Sequence, residues 1–280
     1  MEPDIGVRGD FEVSVVIPLF NKRDTIRRAL ASALRQDVPG RLEIIVVDDG
    51  STDSGPDVVR AIGDPRVRVL HQANAGVSAA RNTGVSAASF NLIAFLDADD
   101  EWTNDFLPTI RRLKSRFPEC GLFGTNYIRY NTSDKRRVGV PGYRQPSYSY
   151  VEGVLSEYLE ITSWFGSPIC ASGLAARREA LASVNGFPVG IHMAEDVLTW
   201  VRIATKWSVA YSPVPCVRYY VSPESRVSKG LDFAWPAVQR RVRCTGKQVN
   251  RDPAKGTLHT RRDGSEGGSG NWSPRYFPGA

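Results

Sequence analysis

Short apolar runs alternate with helical patterns through residues 11–100. The apolar runs have the length and the Val and Ile content of buried strands. Between them, apolar residues recur three and four positions apart, as in an amphipathic helix; Ile26, Ala29, Leu30, Ala33 and Leu34 are one such set. The predicted strands are "VSVVIPL" (13–19), "LEIIVVDD" (42–49), "RVRVLH" (66–71) and "LIAFLDADD" (92–100). The alternation predicts an α/β fold, a Rossmann-like, mostly parallel sheet with helices on both faces.

The pattern over residues 101–221 is less regular and predicts a smaller mixed region. We expect a helix near 104–117, a strand near 121–128 and a helix near 151–161. A further helix is predicted by the helical spacing of Val197, Trp200, Val201 and Ala204.

Polar groups follow three of the predicted strands at their carboxyl ends. The first strand runs into "PLFNK", the second into "DDGSTD" and the fourth into "DADDEW". In parallel sheets the carboxyl ends share one edge, and ligands bind beyond that edge. The functional site is therefore predicted there.

The "DADD" segment gathers carboxylates that repel one another unless a cation lies among them. Oxygen ligands suit Mg²⁺ or Mn²⁺, and Mg²⁺ commonly joins one or two carboxylates to substrate phosphates. In this segment Asp97 and Asp99 lie two apart, and Asp100 and Glu101 follow them and could start the next helix. The alternative is a solvated acidic turn that caps that helix.

Two other segments offer contacts to a nucleotide. In "VVDDGSTD", Asp48 leaves a buried strand and could accept hydrogen bonds from a base or from ribose hydroxyls, while Asp49 and Ser51 could equally be structural turn residues. In "NAGVSAARNTG", Arg81 offers a cation near a diphosphate. The alternative for Arg81 is an ordinary solvated position on an amphipathic helix.

The segment "MAEDVLTWVR" places Glu195 and Asp196 at the start of a helix. A carboxylate there could act as a general base. Acidic residues are also ordinary in a first helical turn, where the helix dipole favours them, so the motif alone leaves both interpretations open.

Several functional classes lack their motifs in this chain. There is no GxGxxG after a strand, no GxxxxGK[ST] and no GxSxG, which argues against nicotinamide dehydrogenases, P-loop NTPases and α/β-hydrolases. The four cysteines and three histidines are dispersed without metal-ligand spacing, so neither a zinc site nor a disulfide framework is expected.

Hydropathy and charge bear on location. The longest apolar runs are far shorter than the ~20 residues that span a bilayer, and the N-terminus does not resemble a signal peptide, so we expect a cytoplasmic protein. From residue 221 onwards 11 Lys and Arg face 5 Asp and Glu, whereas the rest of the chain is neutral. Such a basic end is compatible with peripheral contact with the anionic inner face of the cell membrane, or with a solvated, flexible tail.

Taken together, five segments resemble, in order and spacing, the family 2 glycosyltransferases with the GT-A fold. These are "SVVIPLFNKRDTIRRALASALRQ", "EIIVVDDGSTD", "NAGVSAARNTG", "FLDADDEW" and "AEDVLTWVRIA". The resemblance covers residues 11–221. It implies a nucleotide-sugar-binding half at 11–100 and an acceptor-side half at 101–221. An N-terminal tail (1–10) and a basic C-terminal extension (222–280, disordered from about 245) would flank this domain.

The resemblance implies an inverting, metal-dependent transferase that moves one sugar from a nucleotide-sugar, most often a UDP-sugar, to an acceptor hydroxyl. The expected acceptor is a saccharide or lipid-linked saccharide of bacterial surface polysaccharide or lipopolysaccharide, and no nucleic-acid partner is expected. The alternative is a nucleotide-sugar-binding protein without catalysis. A nucleotidyltransferase would need a glycine-rich loop after the first strand, which "PLFNKRD" lacks.

Carried over by position, the resemblance assigns roles to individual residues. Asp196, with Glu195 as the alternate, corresponds to the catalytic base, and Asp99 with Asp97 to the ligands of Mn²⁺ or Mg²⁺. The implied donor-binding residues are Pro18, Phe20, Asp48, Asp49, Arg81, Asp97 and Ala98. One position departs from the pattern, because Tyr220 stands where many members carry a histidine that completes the metal or diphosphate site.

Overall fold

The computed structural model of the protein describes residues 11–132, 137–139, 151–165, 167–191 and 193–221. Side chains are described over the same ranges except at 137–139, 164 and 165. All of these residues belong to one compact unit. The N-terminal tail and the C-terminal extension lie outside the described residues, and so does the prediction that the chain is disordered from about residue 245.

Four parallel strands form the first half of the sheet, as the apolar runs predict. They are β1 (Phe11–Leu19), β2 (Gly40–Asp48), β3 (Val67–His71) and β4 (Leu92–Phe95), in the spatial order β3-β2-β1-β4. The intervening helices are α1 (Arg23–Leu34), α2 (Gly55–Arg60) and α3 (Val77–Ala87). The central position of β1 explains its nearly complete burial.

The sheet continues without a break into the second half of the chain. Its elements are β5 (Glu101–Trp102), α4 (Phe106–Arg116), β6 (Leu122–Asn131), β7 (Arg137–Gly139), β8 (Gly153–Val154), α5 (Tyr158–Phe165), β9 (Leu174–Arg177), α6 (Arg178–Ala182), α7 (Glu195–Ala204) and β10 (Val209–Val221). The strand order after β4 is β9-β6-β10-β5, with β7 on β6 and β8 on β10. The strands β9 and β5 run antiparallel to their neighbours, so this half is mixed.

Helices pack on both faces of the sheet, which gives two apolar layers. Successive residues of β1 point to opposite faces, so Val15 belongs to the same apolar layer as Leu30 of α1, whereas Val16 belongs to the layer that contains Ala80 of α3 and Trp200 of α7. No helix in the described part of the chain is long and apolar enough to cross a membrane.

Two predictions for the chain from residue 100 onwards differ from the structure. The helix expected from residue 151 begins at Tyr158, and the residues before it form β8. The helix expected after "DADD" begins at Phe106, so Asp100 and Glu101 do not start it. Instead, the Asp100 N–H closes a turn onto the Asp97 carbonyl (3.0 Å), and Glu101 lies in β5, which pairs with β10.

Close packing between α3 and β1 depends on a glycine. A Cβ on Gly84 would lie 2.3 Å from Cγ1 of the buried, β-branched Val16. We expect Gly84→Ala to lower the free energy of unfolding by about 1–3 kcal/mol, because α3 must move off the sheet. In an unobstructed helix the same change would instead raise it by ~1 kcal/mol.

Urea denaturation measures this difference, with Ser86→Ala on the exposed side of α3 as the control. The control is expected to stay within ~0.5 kcal/mol of the wild type. A Gly84→Ala protein as stable as the wild type would show that α3 does not approach β1 this closely.

Candidate functional site

Hydrogen bonds of Asn21 connect the loop after β1 to the loop after β2. Its side-chain Oδ1 accepts hydrogen bonds from the N–H groups of Thr52 (2.8 Å) and Asp53 (3.3 Å). In return, the Asn21 N–H donates to Oγ of Ser51 (3.1 Å). Asn21 has a φ of 51°, a left-handed conformation that asparagine tolerates better than most residues. No separate pattern in the sequence predicts this role, although asparagine after a strand is a common turn residue.

Pro18, Phe20 and Ala98, the three apolar residues assigned to the donor site, lie at or just beyond the strand ends. Pro18 is half-buried in β1 and registers with Val47, and Phe20 follows the strand with 44% of its surface exposed. Ala98 is buried behind β4. The exposed ring of Phe20 is therefore available to a ligand at this edge, and the donor-binding role of all three stays a prediction.

Asp48, the last residue of β2, and Asp49, which follows it, lie in different environments. The Asp48 carboxylate accepts a hydrogen bond from the Ser51 N–H (3.0 Å) and lies 2.9 Å from Nδ1 of His71. Burial raises the pKa of Asp48, but the hydrogen bonds from Ser51 and His71 outweigh burial, and the pKa is lowered. Asp48 is therefore held as a charged acceptor at the edge of the sheet.

Both carboxylate oxygens of Asp49 are occupied by the loop between β3 and α3. They accept hydrogen bonds from Nε2 of Gln72 (2.7 Å) and from the N–H groups of Ala75 and Gly76 (2.9 Å each). This arrangement fits the structural alternative that the sequence left open for Asp49.

Arg81 is buried at the centre of the site and joins two acidic segments. Its Nη2 donates to Asp97 (2.7 Å) and its Nη1 donates to Glu195 (2.7 Å), with only 3% of the side chain exposed. Burial lowers the pKa of Arg81, but the charges of Asp97 and Glu195 raise it further, so the guanidinium stays charged. One side chain thus ties the loop after β4 to the start of α7, which the sequence did not predict for Arg81.

Asp97 and Asp99 lie on the same loop, and each carboxylate has a cationic partner. Asp97 accepts a hydrogen bond from Arg81, and Asp99 accepts one from Nζ of Lys22 (2.6 Å). Both remain partly exposed, at 25% and 36% of their side chains. Within the described ranges no group of three or more His, Cys, Asp or Glu side chains could hold a metal ion. The donor set therefore fits a Mg²⁺ or Mn²⁺ only as a pair of carboxylates to which substrate phosphates add the other ligands.

Asp100 is part of the scaffold beneath these two residues. It is 1% exposed and accepts hydrogen bonds from Oγ of Ser172 (2.5 Å) and the N–H of Tyr220 (3.0 Å). Burial, followed by the charges of Asp99 and Asp97, raises its pKa well above the ordinary value. Ser172 also accepts from the Asp97 N–H (3.0 Å), so this serine fixes both acidic residues. Sequence reasoning missed Ser172, which lies 75 residues away from Asp97.

Asp196 opens α7 beside Glu195 and remains partly exposed. One of its oxygens accepts from the N–H of Val197 (2.7 Å). Burial and then the neighbouring charge of Glu195 raise the pKa of Asp196 to about 7, against the opposing effect of Arg81. A carboxylate with this pKa can take up a proton near neutral pH, as a general base requires. Glu195, in contrast, is buried against Arg81.

Tyr220 does not direct its hydroxyl at the acidic loop. The hydroxyl donates to Glu101 (3.1 Å), and the ring lies under the guanidinium of Arg28, whose Cζ is 3.8 Å from the ring centroid. Arg28 in turn donates to the backbone carbonyl of Asp99. The position where the resemblance expects a histidine is thus filled by a tyrosine that supports an arginine.

This edge lies on a mostly parallel α/β sheet, the architecture of the GT-A class of glycosyltransferases. Solved structures of that class are similar to the chain. TarS 1–349 of S. aureus matches with a TM-score of 0.62 and 21% identity over 84% of this chain and 65% of that one. Its complex with UDP-GlcNAc matches with a TM-score of 0.65 and 19% identity over 84% and 66%.

The profile described as Glycosyl transferase family 2 matches residues 14–183, more than half of the chain. The chain belongs to this family. It is similar to the uncharacterized glycosyltransferase YibD of Escherichia coli (strain K12), with 46% identity over 92 residues, 32% of this chain and 26% of YibD. An uncharacterized glycosyltransferase of Nostoc sp. is 32% identical over 183 residues, 64% of this chain and 54% of that protein. The chain thus spans only part of the length of both relatives.

Proposed function

We propose that the protein is an inverting glycosyltransferase that transfers a sugar from a nucleotide-sugar, a UDP-sugar in the first instance, to an acceptor hydroxyl. The observation that carries the proposal is the Arg81 bridge. It joins Asp97, on the loop assigned to the donor, to Glu195, the neighbour of a carboxylate with a pKa of about 7. The site thus combines an anchor for the donor with a proton acceptor.

The donor would lie along the carboxyl edge of β2, β1 and β4. Asp48 is held charged at the end of β2 and can accept from the N–H of a base or from a ribose hydroxyl. Asp97 and Asp99 follow β4, where the diphosphate and sugar would lie. TarS, which shares the fold, forms a complex with UDP-GlcNAc, and this supports the choice of a UDP-sugar for the first assays.

Transfer with inversion needs a base on the face of the sugar opposite the leaving group. The acceptor oxygen attacks the anomeric carbon, the bond to the diphosphate oxygen breaks, and the hydroxyl proton passes to the Asp196 carboxylate. The products are the glycosylated acceptor and a nucleoside diphosphate. A Mg²⁺ or Mn²⁺ held by Asp97 and Asp99 would neutralise charge on that leaving group.

The acceptor and the location follow from the family resemblance and are proposals as well. A saccharide or a lipid-linked saccharide of a bacterial surface polymer would offer the hydroxyl. The enzyme would work in the cytoplasm, with the basic residues after 221 in contact with the anionic inner face of the membrane.

A donor screen tests the proposal. UDP-, GDP- and dTDP-sugars are added with Mn²⁺, and the shift in thermal unfolding temperature is recorded, because a ligand of the native state stabilises it. Radiolabelled forms of the donors that bind are then assayed for transfer and hydrolysis. Binding without turnover for every donor and acceptor would favour the alternative, a nucleotide-sugar-binding protein without catalysis.

The pH dependence of turnover reports on the proposed base. Because Asp196 must be unprotonated to accept a proton and its pKa is about 7, kcat/KM should be constant above that pH and fall about tenfold per unit below it. Burial and the charge of Glu195 both raise this pKa. Glu195→Gln removes the second of these causes, so the midpoint should move to lower pH while activity persists. If Glu195 were itself the base, the same substitution would abolish turnover at every pH.

A further inference from the structure

Two cationic side chains of the α1 region meet at Asp99. Lys22, at the N-cap of α1, donates to Oδ2 of Asp99 (2.6 Å) and keeps 44% of its side chain exposed. Arg28, from the body of α1, donates to the backbone carbonyl of the same residue. Asp99, which belongs to the predicted metal site, is therefore already held between an ammonium and a guanidinium.

The guanidinium of Arg28 is fixed in place by an aromatic support. It lies 3.8 Å above the ring of Tyr220, a cation–π distance. Tyr220 is anchored in turn by its hydroxyl to Glu101 (3.1 Å) and by its N–H to Asp100 (3.0 Å). These contacts orient the long side chain of Arg28 toward the loop that carries Asp99.

Both cations keep donors to spare. An ammonium carries three donor hydrogens and a guanidinium five. The hydrogen bonds to Asp99 use one nitrogen of each. The Nε of Arg28 is buried and has no hydrogen-bond partner among the residues the structure describes. An anion beside Asp99 could therefore bind both side chains without displacing either from Asp99.

The strand order places this cation pair where a diphosphate would pass. β1 lies between β2, which ends at Asp48, and β4, which leads to Asp97 and Asp99. A nucleoside diphosphate with its base near Asp48 and its sugar near Asp97 must cross the end of β1. Lys22 and the N-terminus of α1 follow that end directly, and the α1 dipole adds positive potential there.

We propose that Lys22 and Arg28 form a diphosphate-binding cation pair, with Tyr220 as the positioning residue for Arg28. The proposal rests on the proposed function, since it assigns the contacts of the donor's diphosphate. It places permanent positive charge beside the carboxylates assigned to the metal. Part of the affinity for the diphosphate should therefore persist when divalent cations are removed.

Calorimetric titration with UDP tests the cation pair, in Mn²⁺ and again in EDTA. Lys22→Met and Arg28→Met should each weaken UDP binding about tenfold or more, as expected for the loss of a charge-assisted hydrogen bond. The affinity for uridine, measured by NMR titration, should not change, because uridine has no phosphate. Wild-type protein should still bind UDP in EDTA. Arg27→Met, an exposed neighbour on the same helix, is the matched control and should bind UDP as the wild type does.

Two variants of Tyr220 separate positioning from folding. Tyr220→Phe keeps the ring under Arg28 and should retain UDP affinity. Tyr220→Ala removes the ring and should weaken UDP binding by the same factor as Arg28→Met. Thermal unfolding of each variant verifies that it folds. A wild-type protein that binds none of UDP, GDP and dTDP overturns the donor site and this pair with it. Wild-type binding that Lys22→Met and Arg28→Met leave unchanged overturns the cation pair alone.

Discussion

Replacing Asp196 by Asn is expected to lower kcat about 100- to 10,000-fold, the range that general-base catalysis supplies. The amide has nearly the same shape as the carboxylate but cannot accept the proton of an acceptor hydroxyl. Donor affinity should stay within about twofold of the wild type, because the proposed mechanism places Asp196 against the acceptor rather than the nucleotide. The measurement is the steady-state rate of transfer from a radiolabelled donor, with donor affinity determined in parallel.

The matched control for this substitution is Asp57→Asn. Asp57 is also an acidic residue in a first helical turn, but it lies on the surface in α2, with 74% of its side chain exposed. The control should retain full activity. If Asp196→Asn kept more than about a tenth of the wild-type kcat, Asp196 would not be the base, and Glu195 would be the next residue to replace.

Replacing Arg81 by Met is expected to lower the free energy of unfolding at pH 7 by about 3–5 kcal/mol, the usual cost of removing one partner from a buried ion pair. The substitution leaves Glu195, which is 8% exposed, and Asp97 without their shared cation. Donor binding and turnover should fall as well, because both acidic segments lose their common anchor. Urea denaturation and donor titration measure the two effects.

A second variant identifies the cause of the loss. Arg81→Lys keeps the charge but not the fork that reaches two carboxylates, and it should fall between the wild type and Arg81→Met. Arg27→Met, on the exposed side of α1, should change stability by less than ~0.5 kcal/mol. A loss below ~1 kcal/mol for Arg81→Met would contradict the bridge.

In the first half of the chain, β1, β4 and most of β2 were predictable because these strands are buried on both faces. A run such as "VSVVIPL" is apolar at nearly every position, and only a strand between helix layers needs that pattern. β9, "LAAR", was not predicted, because four residues with two alanines give no strand signal and the neighbours on both sides decide its conformation. β10 was missed too. Pro213 and Pro215 interrupt its pattern, and its register with β6 shifts on both sides of Pro215.

The acidic half of the site was predictable from residue type and position. Asp48, Asp97 and Asp99 all follow strands that end at one edge, and Asp196 begins a helix whose apolar face was visible in the sequence. The structure places these residues around that edge and leaves their individual roles as predictions. It confirms the α/β architecture of the GT-A class, which the strand and helix pattern and the family resemblance had indicated.

The cationic half could not be predicted, because it depends on contacts between distant parts of the chain. In the sequence, Lys22 and Arg28 look like ordinary polar positions on an amphipathic helix, 77 and 71 residues from Asp99. Arg81 looks like a free cation for a diphosphate, yet the fold commits it to Asp97 and Glu195. The spacing of apolar and polar residues indicates which face of a helix or strand a side chain occupies. It does not indicate which residue from a distant part of the chain the tertiary fold places beside that side chain.

The stereochemistry of transfer tests the central claim most directly. Proton NMR of the anomeric region, recorded as the enzyme consumes an α-linked UDP-sugar in the presence of an acceptor, identifies the anomeric configuration of the glycoside that forms. A single displacement assisted by Asp196 predicts that the β-anomer forms, and that Asp196→Asn forms it far more slowly. An α-configured product would contradict the proposed one-step inversion and the role given to Asp196.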